Sequence, residues 1–102
     1  MTDDDGPTLR AFQRQLEALY LERDRARGVD GTFAWLVEEI GELARALRRQ
    51  DRTNLVEEVG DTLAWLISLA TLNGVDVAEA VAKYFPACPK CAHVPCECGG
   101  RR

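Results

Sequence analysis

Apolar residues recur at helical spacing along most of this chain, and clusters of glycine, proline and short polar residues interrupt them. Leu9, Phe12, Leu16, Leu19 and Tyr20 share one stripe, which predicts an amphipathic helix over 8–26 opened at Pro7-Thr8. Gly28–Gly31 should break it, with Asp30 or Thr32 capping a second helix over 32–49. There, Phe33, Leu36, Val37, Ile40, Leu43, Ala44 and Leu47 span an arc of about 120° and form the expected core face. Trp35, Glu39 and Glu42 lie on the far side, with Glu38 at the edge. After a turn over 50–53, Thr53 or Asn54 should cap a third helix reaching about 72.

That third helix carries two stripes. Leu55, Val56, Val59, Leu63, Leu66, Ile67 and Ala70 make one. Glu58 and Asp61 begin the opposite one, which continues as Trp65, Leu69 and Leu72. A solvated face does not turn apolar after one turn, so the helix should be covered on both sides, with its carboxylates at the mouth of a groove. Asn73-Gly74 should end it, Gly74 in the left-handed conformation. Asp76 should cap a short fourth helix with Val77, Ala80, Val81 and Tyr84 facing inward, stopped by Pro86. The pattern divides the chain into a disordered leader (1–7), a helical domain (8–86) and an aperiodic Cys-rich tail (87–102).

At 102 residues the chain is one small all-α domain with a limited core of its own, so a homodimer or homotetramer is expected. Net charge is −4, and the arginines concentrate only at Arg23, Arg25, Arg27 and at Arg48-Arg49, which argues against a nucleic-acid polymer as partner. No apolar run reaches the ~18 residues of a membrane span. The acidic start, Met1-Thr2-Asp3-Asp4-Asp5, lacks the pattern of a signal peptide, so a cytoplasmic location is expected.

The strongest chemical signal is a pair of carboxylate clusters, Glu38-Glu39-x-x-Glu42 and Glu57-Glu58-x-x-Asp61. Three- and four-residue spacings stack these groups on one face of each helix. Facing one another, they repel unless a cation neutralises them, and an all-oxygen set suits a hard divalent ion, magnesium first and manganese as a substitute. Glu38 and Glu57 taken singly fit a solvated face equally well.

The strings Glu39-Ile-Gly-Glu-Leu43 and Glu58-Val-Gly-Asp-x-Leu-x-Trp-Leu66 resemble the MazG nucleotide pyrophosphohydrolases of the all-α NTP pyrophosphatase superfamily, over roughly 9–85. The resemblance implies a four-helix, oligomeric bundle and Mg2+-dependent cleavage of a nucleoside triphosphate to the monophosphate and pyrophosphate. By motif position it implies Glu39, Glu42, Glu58 and Asp61 as metal ligands. It also places Lys83 as a phosphate contact, although Phe85-Pro86-Ala87-Cys88 follows where the family often carries further Asn or Arg. Glu38 is a candidate for orienting the attacking water. Trp35 and Trp65, one turn from the acidic motifs, are candidates for stacking on a base, with core or interface packing as the alternative.

Cys88, Cys91, Cys96 and Cys98 form two close thiol pairs, the pattern of a tetrahedral zinc site, with His93 able to replace one thiol. Free thiols or a redox pair are the alternatives. Two other functions stay open: a non-catalytic regulatory or adaptor module using the tail to hold a partner, and a pyrophosphohydrolase for phosphoribosyl-ATP.

Overall fold

The computed structural model describes residues 6–100. Most of the expected leader, and the last two residues of the expected tail, lie outside that range. The described residues form helices and turns, with no strand among them.

Helix α1 runs Leu9–Arg49, α2 runs Arg52–Leu72 and α3 runs Val77–Val81, followed by a 3-10 turn over Ala82–Tyr84. Thr8 caps α1, its hydroxyl accepting from the Ala11 N–H at 3.0 Å. The first two expected helices are both formed; α1 spans the two of them, broken at a single residue. Only Gly28 leaves helical geometry, at φ 85° and ψ 172°. Glycine takes that conformation without a Cβ clash, so one residue does what a four-residue loop was expected to do. Asp30 and Thr32 therefore lie within the helix rather than at a cap.

The α1–α2 turn is also tighter than expected. Gln50 sits in the left-handed region and closes α1, while the Asp51 carboxylate accepts from the Asn54 N–H at 3.1 Å and opens α2. Asp51 takes the capping role expected of Thr53 or Asn54. Arg48 and Arg49 lie in the last turn of α1, where cations meet the negative end of the helix dipole. At the far end of α2, Gly74 (φ 69°) donates to Thr71 and Val75 donates to Ala70, a Schellman closure. Asp76 then caps α3 through the Ala78 and Glu79 N–H groups.

The two long helices form an antiparallel hairpin. Gln13 ties its open end together, donating to Thr71 (2.9 Å) and to the Val75 carbonyl (2.8 Å) and accepting from the Val77 N–H (2.9 Å). The Arg10–Asp76 ion pair, 3.0 Å, adds a surface link and holds the Asp76 carboxyl below its ordinary value.

The orientation of the helices corrects the expected core. Leu16, Leu36, Ala46 and Ile67 are buried, and so are Gln13, Asp24, Thr32, Glu58 and Ser68. Phe33, Val37, Ile40 and Leu47, expected in the core, point outward and are at least half exposed. Val56, Val59, Leu63 and Leu66 on α2 are exposed as well. The acidic sides of the helices meet inside the chain, and the strongest apolar stripes face out. Hydrophobic periodicity marks a face that leaves water; it does not say whether the cover comes from the same chain. In α3 and the turn after it, Val77 and Val81 are half-buried, whereas Ala80 and Tyr84 are exposed. The radius of gyration, 15.9 Å, exceeds the about 13 Å of a compact domain of this length.

Candidate functional site

The hairpin brings together two acidic motifs that are distant in sequence. One carboxylate oxygen each from Glu39 on α1 and Glu58 and Asp61 on α2 lie within 4.8 Å of one another. Glu58 is buried, Glu39 is half-buried and Asp61 opens to solvent. Glu39 Oε2 is buried with no hydrogen-bond partner. A buried acceptor left in this way is costly, and a carboxylate oxygen without a donor beside two further carboxylates is an arrangement a cation relieves.

Burial is the main reason the Glu39 carboxyl is pushed up to about 7 from 4.5. A hydrogen bond shared with Glu58 and the charges of Glu58, Asp61 and Glu42 push the same way. Like charges at this range make each further ionisation costlier.

The remaining candidates from the sequence occupy different surroundings. Glu42 is outside the group of three, and its carboxylate lies 3.5 Å from Arg45 on the half-exposed surface. Glu38 is exposed. Trp35 and Trp65 stack on each other, ring centroids 5.9 Å apart and planes 15° apart. The Arg27 guanidinium lies over Trp65 at 4.8 Å. The two indoles thus join α1 to α2 one turn from the carboxylates. Lys83 is exposed beside the Tyr84 ring and lines a cavity shared with the tail, not the groove that Asp61 lines.

A groove of about 280 Å3 adjoins the carboxylates, lined by Asp61 and Trp65 together with Tyr20, Arg23, Asp24, Arg27 and Ser68. Arg23 and Arg27 stood out in the sequence as a basic cluster, but not as lining of this groove. Arg27 is fixed by Asp24 (2.8 Å) and by the buried Thr32 hydroxyl (3.3 Å). A signal for this was available: Asp24 continues the stripe of Leu16 and Tyr20, and a polar residue at a core position of an amphipathic helix implies a buried partner.

In the tail, Cys88, Cys91, Cys96 and Cys98 place their sulfur atoms within 4.8 Å of one another. Backbone N–H groups draw the Cys88 thiol down to about 6, while the neighbouring sulfurs of Cys96 and Cys91 push Cys98 up to about 12.

The family model of the MazG nucleotide pyrophosphohydrolase domain matches residues 27–91, which hold all three clustered carboxylates. The chain belongs to the MazG nucleotide pyrophosphohydrolase domain family. It is also 49% identical over 61 residues to a dATP/dGTP diphosphohydrolase of Cyanophage S-2L. That match covers 60% of this chain and 52% of the phage protein, so the MazG chain spans about half the length of the curated relative it matches.

Proposed function

We propose that this MazG domain hydrolyses purine deoxynucleoside triphosphates to the monophosphate and pyrophosphate, using magnesium held by Glu39, Glu58 and Asp61. The observation that carries the reading is the convergence of three carboxylate oxygens within 4.8 Å around an unpartnered Glu39 oxygen, beside a groove furnished with arginine. The likeness to a dATP/dGTP diphosphohydrolase supports the substrate class.

The donor set fits the ion: carboxylate oxygens alone, on rigid helices, with no thiol or imidazole among them. Bound there, magnesium would offset the charge of the phosphates and acidify a coordinated water. The side chains do the rest. Arg27, locked by Asp24 and Thr32, presents a preorganised guanidinium suited to a phosphate oxygen, with Arg23 beside it. Trp65 and Tyr20 give the groove an aromatic lining against which a base can lie. Glu42 would adjust the ligand field from one turn away, freed from Arg45.

The outward apolar stripes support a homodimer. Pairing two hairpins through Phe33, Val37 and Ile40 on α1 and Val56, Val59 and Leu66 on α2 would complete a four-helix bundle. It would also supply the cover the single chain lacks. A cytoplasmic setting agrees with the thiols of the tail being free.

Hydrolysis of γ-labelled dATP and dGTP tests the function. The expected first product is labelled pyrophosphate, formed with Mg2+ and not with EDTA. Labelled orthophosphate as the first product would overturn the reaction, and cleavage of phosphoribosyl-ATP in place of both deoxynucleotides would overturn the substrate.

A further inference from the structure

We propose that the tail is a zinc site of four thiolates, Cys88, Cys91, Cys96 and Cys98, and that this ion is what gives residues 87–98 a single conformation. Tetrahedral zinc with bonds of about 2.3 Å needs its sulfurs about 3.8 Å apart. The Cys88–Cys98 and Cys91–Cys96 sulfur pairs are each separated by 3.9 Å. A disulfide would need about 2.05 Å, and the observed separations match the edges of a tetrahedron instead.

The backbone is arranged around the sulfurs. The N–H groups of Lys90, Glu97 and Cys98 point at Cys88, Cys91 and Cys96 respectively, at 3.3–3.4 Å. Donors aimed at sulfur stabilise the thiolate form, which is the form that binds metal. A turn closes the first pair: the Ala92 N–H donates to the Cys88 carbonyl at 2.8 Å, and the Cys88 N–H donates to His93 at 3.2 Å. Ala92 takes φ 62°, a left-handed conformation that a Cβ disfavours and that the turn must hold in place.

Nothing else in the segment supplies that hold. It has no helix or strand, and its one large aliphatic residue, Val94, is 76% exposed. A segment without a core keeps one conformation only when cross-linked, by disulfide or by metal. The donor set decides between metals: four soft thiolates select zinc and reject magnesium, so the two clusters of this chain sort ions between them. The set is assigned to the thiols alone, with His93 at its edge. His93 is exposed and lies 3.5 Å from Glu97, outside the group of four sulfurs. Thiol protons leave to solvent as the metal binds.

The full chain, purified without chelator and under reducing conditions, is analysed for metal and then exchanged with Co2+. The expected result is one zinc per chain, replaced by cobalt with the intense visible bands of a tetrahedral tetrathiolate. Cys98→Ser should lose the zinc and His93→Ala should keep it. A zinc-free chain with four freely titrating thiols would overturn the site, as would two disulfides under non-denaturing alkylation. Loss of zinc in His93→Ala would overturn the four-thiolate ligand set.

Discussion

The carboxylate cluster and the cysteine cluster solve one electrostatic problem in opposite ways. Each gathers anionic or ionisable groups within 4.8 Å of one another, where they repel without a cation. The carboxylates come from two helices and meet only because α1 and α2 pack together. The thiols come from eleven consecutive residues and meet through local turns. The helices stand on their own caps and packing, so the first site is preformed and an ion held there would be free to serve chemistry. The tail has no such support, so an ion held there would serve structure. The scaffold around a cluster, as much as its ligands, thus decides whether a metal bound there would be reagent or staple.

The sharpest break in that comparison is a double dissociation. Glu58→Gln should lower turnover by about three orders of magnitude or more, because a lost ligand removes charge stabilisation at the transition state, and should leave the zinc content intact. Cys98→Ser should do the reverse, losing zinc and keeping most of the turnover. Steady-state kinetics beside elemental analysis of both variants reads the two effects. If both variants lose both properties, the sites are not separate.

Next in size is the outward face. Val59→Glu places a charge among Val56, Leu63 and Leu66, and burying an unpaired charge costs on the order of 3–5 kcal/mol. Light scattering at micromolar concentration should show a dimer for the parent and a monomer for the variant. A monomeric parent with full activity would remove the dimer. Smaller again is Arg27→Gln. It should raise KM about tenfold with little change in kcat, the loss of one charge-assisted hydrogen bond to a phosphate. An unchanged KM would take Arg27 out of the substrate groove.

The two clusters also differ in how far the sequence disclosed them. The tail was legible because its geometry is local: the spacing of Cys88, Cys91, Cys96 and Cys98 nearly dictates the loops that join them. The structure adds the position of His93, turned to Glu97. The helical nature of the chain, the caps at Thr8 and Asp76 and the Gly74 closure were legible for the same reason. The carboxylate site was legible in composition and not in detail. Motif spacing placed Glu42 beside Glu39, but only helix packing shows that Glu42 pairs with Arg45 while Glu39, Glu58 and Asp61 converge. Packing also hid the direction of the apolar faces. Phe33, Val37 and Ile40 have the periodicity of a core, and periodicity carries no information on which chain supplies the cover. The place of Arg27 in the groove was hidden because its partners, Asp24, Thr32 and Trp65, assemble across the kink at Gly28 and from α2.

A smaller effect separates the clusters by pH. The Glu39 carboxyl is raised to about 7 in the folded chain and stands near 4.5 when unfolded. Between those values the folded state keeps a proton that the unfolded state has released. The contribution of Glu39 to stability without metal is therefore fully present below about 4.5 and is lost as pH rises through 7, on the order of 3 kcal/mol. Denaturant unfolding in EDTA between pH 5 and 8 checks the slope. A metal-free chain that gains stability over that range would contradict the shift.

The central claim is that the α1–α2 carboxylates are ligands waiting on a hard cation, and thermal melts of the parent and of Glu39→Gln at pH 7.5 test it most directly. Glu39→Gln removes the charge and keeps the shape. In EDTA the variant should melt at or above the parent temperature, because a repelling buried charge is gone. In saturating Mg2+ the order should reverse, the parent rising by ligand linkage and the variant rising less. If Mg2+ leaves the parent's melting temperature unchanged, or raises both proteins equally, Glu39 is not a ligand and the carboxylate cluster is only a solvated acidic face.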